Sequence, residues 1–176
     1  MVNSNDSRSA RIAIVERHIR LENERDLEGV LRTFGSSACY DDEAWGEHYE
    51  GRNDVRLFYE QILHALPDME IQVRRQHVSD EAILVETVVR GTHLGEWRGL
   101  PATGRRVEFA LCGVYTFDGD DLLAGERIYY DWASVLRQLG VFHEPHRLPG
   151  RIAILVTHPV TILRMLARKL LRPKLI

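Results

Sequence analysis

Residues 91–109 read GTHLGEWRGLPATGRRVEF, and the reading of this stretch decides the fold. It joins two runs rich in β-formers, AILVETVVRGTHLGEW at 82–97 and GRRVEFALCGVYTFDG at 104–119. The RGLPAT between them, residues 98–103, is punctuated by Gly and Pro, which interrupt strands and favour turns. The pattern predicts a long antiparallel hairpin. Further β-rich runs at 69–78 and 122–132 flank it, and DGDD at 118–121 supplies the last turn.

Upstream the period changes. Ile12, Val15, Ile19, Leu27, Val30, Leu31 and Phe34 recur at helical spacing over residues 9–34, broken in two by the polar ENERD at 22–26. A short strand at 38–42 follows. Asn53 or Asp54 can cap a third helix, DVRLFYEQILHAL, which Pro67 and Asp68 terminate. The closing WASVLRQLG is a short helix stopped by Gly140. Helices on one face of a curved antiparallel sheet make an α+β domain. It is expected over residues 10–142, with a polar, disordered start at 1–9 and an extension at 143–176.

A 176-residue chain with 44% hydrophobic and 28% charged residues can bury an ordinary core. Cys39 and Cys112 are the only cysteines, so no disulfide framework is implied. The polar start MVNSNDSRSAR lacks an apolar signal region, so a cytoplasmic setting is expected. The net charge of −3 hides a split: residues 1–143 carry 16 basic and 25 acidic groups, residues 144–176 seven basic and one acidic. The acidic body disfavours nucleic acid as a partner. The eight histidines show no tight ligand spacing, and no glycine-rich phosphate loop or GxSxG turn is present. No metal, nucleotide cofactor or covalent nucleophile is expected.

The GTHLGEWRGLPATGRRVEF wording closely resembles the hairpin signature of the SnoaL-like polyketide cyclase family, within the nuclear transport factor 2-like superfamily. The resemblance covers roughly residues 10–142, including the ending YYDWASVLRQLG. It implies a cone-shaped domain with one deep pocket and cofactor-independent chemistry on a small hydrophobic, carbonyl-bearing molecule such as a polyketide or steroid-like compound. Cyclases of that family place an acid/base carboxylate on the last strand, which here offers Glu126 and Asp131; the pocket His of their preceding strand has no counterpart in RRVEFALCGVYTF. Residues 15–42 resemble the opening of ketosteroid isomerases, whose carboxylate base lies nine residues before a Gly that starts a helix. Asp42 stands nine residues before Gly51. Their oxyanion-stabilising Tyr falls where this chain has His18, and their second donor falls near Gly113, so this second resemblance carries the fold.

The candidate catalytic residues are thus Asp42, Glu126, Asp131 and His18. Each has a structural alternative. Asp131 can cap the helix starting at Trp132. Glu126 alternates with Arg127, so only one of them faces inward on a regular strand. YDDE around Asp42 also reads as a polar turn, and His18 as a core histidine. Tyr40, Trp45, Tyr59, Trp97, Tyr115 and Tyr129 are candidate binding residues, because Tyr and Trp pair a flat apolar face with one polar handle. His48, in the loop WGEHYEG over the expected pocket mouth, and His93, in the GTH motif, complete that set. A non-catalytic ligand-binding or interaction module on the same fold is the alternative function.

Two partner surfaces are expected. ILVETVV at 83–89 is apolar at nearly every position, which suits burial on both faces; with the family resemblance it implies a symmetric homodimer. In the extension, VTILRMLARKLLR places Arg164, Arg168 and Arg172 at four-residue spacing, joined by Lys169, among Val160, Ile162, Leu163, Met165, Leu166, Leu170 and Leu171. Such a helix docks on protein or, through residues 150–176, lies on anionic lipid as a peripheral membrane contact.

Overall fold

The computed structural model describes residues 4–144 and 146–171. They form helices α1 (Ser4–Glu24), α2 (Leu27–Thr33), strands β1 (Phe34–Asp42) and β2 (Glu47–Glu50), α3 (Gly51–Ala65), strands β3 (Glu70–Val78), β4 (Ala82–Thr92), β5 (Arg106–Phe117) and β6 (Leu123–Tyr130), and helices α4 (Trp132–Leu139), α5 (Leu148–Thr157) and α6 (Pro159–Leu171). The chain divides into two compact units, Met1–Leu139 and Gly140–Ile176.

In the first unit the strands form one curved, open sheet in the order β2-β1-β6-β5-β4-β3, with the helices on one face. The expected hairpin is there: β4 and β5 pair antiparallel from Ala82↔Thr116 to Thr92↔Arg106. The sheet is not wholly antiparallel, however. β1 and β6 run parallel, because α3 carries the chain from one edge of the sheet to β3 at the other, and the meander back delivers β6 beside β1. Register shifts between Phe34 and Cys39, Val73 and Arg75, and Thr116 and Phe117 interrupt the ladders, and such irregularities bend and twist strands locally.

Several boundaries differ from the sequence expectation for local reasons. Residues 4–9, expected to be disordered, are the first turns of α1; Ser7 Oγ and Arg11 Nε both bond Asp121 Oδ1, at 2.6 Å each. The break falls at Arg25–Asp26, where Arg25 has φ +59° and Asp26 caps α2 through the Gly29 N–H. α3 starts at Gly51, φ +81°, and its cap position is Glu50, not Asn53 or Asp54. WGEHYEG contributes a strand, β2, paired with β1 from Cys39↔Glu50 to Asp42↔Glu47. β4 stops at Thr92, whose N–H and hydroxyl are captured by the Asp68 carboxylate, at 2.6 and 2.7 Å.

The core joins Val15, Ile19, Val30, Phe34, Val55, Tyr59, Ile83 and Leu123. On β4 burial alternates: Ile83, Val85 and Val89 are buried whereas Leu84 is exposed. The second face of β4, expected to be covered by a partner, is open in the single chain at Leu84. In the GTHLG segment, Gly95 runs against the end of α3, where the Leu94 and Gly95 N–H groups donate to the Ala65 carbonyl. A Cβ on Gly95 would lie 2.2 Å from the His64 carbonyl oxygen, backbone against backbone. Gly95→Ala is therefore expected to cost about 1–3 kcal/mol by urea denaturation, as overpacking does; an unchanged midpoint would contradict this contact.

Candidate functional site

The helix face of the sheet and the underside of α1 and α3 surround a cavity of about 60 Å³, room for a few waters. Its lining is mostly apolar, from Ile62, Met69, Val89, Phe109 and Ile128, with Tyr40, Tyr59, Trp97 and Tyr115. The charged exceptions gather at two places: Glu22 with Glu126, and Asp42 with Arg98 beside Tyr130.

The first cluster is built on His18, which is wholly buried on α1. Its Nδ1 lies 2.7 Å from Thr33 Oγ1, and that hydroxyl donates its only proton to the Val30 carbonyl at 2.6 Å. Thr33 must accept, so His18 Nδ1 carries a proton. Nε2 faces Glu126 Oε2 at 3.1 Å, Tyr59 Oη at 3.0 Å and Glu22 Oε1 at 3.7 Å. A bare Nε2 would point its lone pair at two carboxylates, so it is protonated as well. Burial alone would lower its pKa, but the Glu22 charge and the bonds to Glu126 and Glu22 win, and the pKa rises to about 10. Glu126 also accepts from Tyr59 at 3.2 Å and from Tyr115. Burial raises the Glu22 pKa against the pull of His18.

The second cluster closes around Asp42, 1% exposed. Arg98 Nη2 reaches its Oδ2 at 2.8 Å, the Tyr130 hydroxyl donates to the same oxygen at 3.2 Å, and the Ala44 N–H donates to Oδ1 at 3.1 Å. Burial still dominates, so the Asp42 pKa is raised despite the Arg98 charge. Arg98, at φ +52°, also pairs with Glu47 and lies over the Trp45 ring at 4.8 Å. Its Nε is buried without a hydrogen-bond partner among the described residues.

Of the candidate catalytic residues, Asp42 and Glu126 line one cavity and His18 sits directly behind it. Asp131 does not join them: it caps α4 through the Ser134 N–H at 3.0 Å and pairs with Arg137 on the surface. Of the candidate binding residues, Tyr40, Tyr59, Trp97 and Tyr115 line the cavity. Trp45 packs outside it on Trp132, and Tyr129, next to inward Tyr130, faces out by strand alternation. His48 is an exposed partner of Asp41 on the other face of the sheet. His93 is buried in the hairpin, where Nδ1 accepts the Thr103 N–H at 3.3 Å, so its Thr-His pair serves the turn. Glu22, Arg98 and Tyr130 were not among the candidates. Glu22 is four residues from His18 on the apolar stripe of α1, a spacing the sequence displays.

Among the described residues two donor sets could hold a metal ion: His18, Glu22 and Glu126 in the cavity, and Cys39, Asp41 and His48 outside it. The inner set already balances one imidazolium against two carboxylates, so a divalent ion there would have to displace the His18 proton.

The family model of the SnoaL-like polyketide cyclases matches residues 12–139, and the chain belongs to that family. Among solved structures it is similar to AclR from Streptomyces galilaeus, provisionally named a hydroxylase. That protein is 22% identical, over 77% of this chain and 99% of its own, with a TM-score of 0.68. IdmH from Streptomyces antibioticus, provisionally named a polyketide cyclase, is also 22% identical, over 74% and 99%, at a TM-score of 0.63. A protein with a ketosteroid isomerase-like fold from Catenulispora acidiphila is 16% identical, over 73% and 93%, at a TM-score of 0.63. At these identities the likeness establishes the fold. Among curated proteins, none matches.

The His18 proton ties stability to pH. Its pKa in the folded protein, about 10, lies above the ordinary 6.5, so its contribution is complete below pH 6.5 and is lost as pH rises toward 10. The urea midpoint of the wild type is expected to fall across that window. His18→Phe, which strands two buried carboxylates, should be about 3–5 kcal/mol less stable at pH 7 and show a flatter slope. Equal slopes in the two proteins would contradict a buried imidazolium.

Proposed function

We propose that this protein is a cofactor-independent acid/base enzyme, a cyclase or isomerase acting on a flat, hydrophobic, carbonyl-bearing molecule. The observation that carries the reading is the placement of two acid/base clusters in one aromatic cavity. Asp42 and Glu126 are one strand apart and two residues out of register, about 8 Å between backbones. That separation suits groups working on different atoms of one ring-sized substrate.

In this reading Asp42 takes a proton from the carbon beside the carbonyl, since burial brings its proton affinity nearer to neutrality. Arg98 Nε–H, otherwise unpartnered, donates to the carbonyl oxygen as it gains enolate charge. Asp42 then returns its proton to another carbon of the enolate, or the enolate carbon attacks a second carbonyl to close a ring. In the latter case the new alkoxide takes a proton from water, and the hydroxide left behind recovers the proton from Asp42, so that the enzyme is restored. The cyclase names of the structural neighbours are consistent with this chemistry.

The test is solvent-deuterium exchange beside the carbonyl of flat hydrophobic ketones, followed by NMR. Wild type is expected to accelerate exchange, and Asp42→Asn to reduce the rate about 10²–10⁴-fold with an unchanged circular dichroism spectrum. Binding of the ketones without exchange would favour the ligand-binding module instead.

The second unit supports a further part of the proposal, a peripheral contact with anionic membrane. Among the described residues no helix is long and apolar enough to cross a membrane. α5 and α6 nevertheless leave Leu155, Val156, Val160, Leu163 and Met165 exposed. Arg164 and Arg168 follow on the same helix; Pro145 and Arg172, and the side chains of Leu166, Lys169, Leu170 and Leu171, lie outside the described residues. Each basic group near an anionic surface is worth about 1 kcal/mol. Full-length protein is expected to co-sediment with phosphatidylserine vesicles in low salt and a chain lacking residues 150–176 to stay in solution; equal behaviour of the two would remove the membrane role.

A further inference from the structure

We propose that Cys39, Asp41 and His48, on the face of the sheet turned away from the cavity, form a site for a borderline transition-metal cation, with Zn²⁺ as its natural occupant. β1 alternates, sending Tyr40 and Asp42 into the cavity and Cys39 and Asp41 to the opposite face. β2 brings His48 directly opposite Asp41 in the antiparallel ladder. Thiol, carboxylate and imidazole thus stand on one rigid two-stranded patch, held by backbone pairing and not by a loop.

The spacing fits the ion. Zinc bonds of about 2.3 Å to sulfur and about 2.0–2.2 Å to nitrogen and oxygen put tetrahedral ligands about 3.3–3.6 Å apart. Cys39 Sγ lies 3.7 Å from His48 Nδ1 and 3.8 Å from Asp41 Oδ1. Only the Asp41 Oδ1 to His48 Nδ1 distance, 2.6 Å, is shorter, as a hydrogen bond should be, and it opens when the ion replaces the shared proton. Arg127 holds the other oxygen of Asp41 at 3.1 Å, which aims Oδ1 at the two remaining donors; this is the outer support that ligating carboxylates require. The Arg127 charge is shared with Glu43 at 3.2 Å. Glu50, opposite Cys39 in the ladder, or a water can take the fourth position.

Binding expels the thiol proton of Cys39 and the proton of His48 Nδ1, so that thiolate, carboxylate and neutral imidazole face the dication. The consequence is a clamp on the edge of the sheet. β2 is four residues long and pairs only with β1, so an ion spanning the two strands stabilises the edge that also carries Asp42 into the cavity.

Cobalt(II) is the probe that separates this site from the donors inside the cavity, because only the outer set contains sulfur. Full-length protein, stripped with chelator and kept reduced, is titrated with Co²⁺. The expected result is one equivalent with a thiolate-to-cobalt charge-transfer band, displaced by Zn²⁺, and a thermal midpoint raised by Zn²⁺. Cys112→Ser should keep band and shift, whereas Cys39→Ser and His48→Ala, the latter at an exposed position, should lose both. Cobalt bound without a thiolate band, a band that survives Cys39→Ser, or no binding at all would overturn the site.

Discussion

Everything around the cavity leans on one buried proton, that on His18. Thr33 at the end of α2, Tyr59 on α3, Glu22 on α1 and Glu126 on β6 all direct polar atoms at this imidazole. Four elements meet there, and every one of these side chains is buried. Two buried carboxylates without the imidazolium would repel each other across a medium that screens them poorly. With it, they are held at fixed positions, Glu126 at 3.1 Å and Glu22 at 3.7 Å from Nε2. The same ring packs edge-on against Phe34, Tyr59 and Tyr115, so the charge is enclosed by the aromatic lining it organises.

The rest of the site follows from how the chain crosses the sheet. Because β6 returns beside β1 and parallel to it, the inward residues of both strands, Tyr40 and Asp42 with Glu126 and Ile128, line up along one wall. A meander in simple sequence order would have left β1 and β6 on opposite edges. Tyr115 reaches the same wall from β5, over Gly113; a Cβ there would come within 3.1 Å of its ring. The residue without a side chain thus makes room for the ring whose hydroxyl supports Glu126.

The sequence spoke clearly where local chemistry and tertiary role coincide. The β4–β5 hairpin, the break after Glu24 and the α4 stop at Gly140 each rest on turn residues and periodicity that need no distant partner. Asp42 was legible through the resemblance to ketosteroid isomerases, from its distance to Gly51, an interval that holds a turn and β2. Glu126 was legible only as one of two alternatives, since alternation says that Glu126 and Arg127 point apart but not which points in. Glu22 was hidden in ENERD, where a polar run looks like solvent-facing helix end; it is buried beside His18, itself read both as a catalytic candidate and as a core histidine. Arg98 was hidden because RGLPAT reads as connection, and nothing in it reveals that the loop folds back over Asp42. Conversely, Asp131 and His93 have the right residue types for chemistry and are consumed by a helix cap and a turn.

The outer donor set escaped notice for a different reason. Metal-ligand spacings are usually sought as helical or knuckle patterns, at intervals of two to four residues. A strand site is written otherwise: Cys39 and Asp41 two apart, with the third donor fixed by ladder register at the far side of a turn. Read that way, β1 is a single strand serving two faces. Its even positions from 40 to 42 supply an aromatic wall and a carboxylate to the cavity, and its odd positions supply sulfur and oxygen to the opposite side. Because a strand cannot rotate one face without the other, whatever fixes Cys39 and Asp41 also fixes the direction of Asp42.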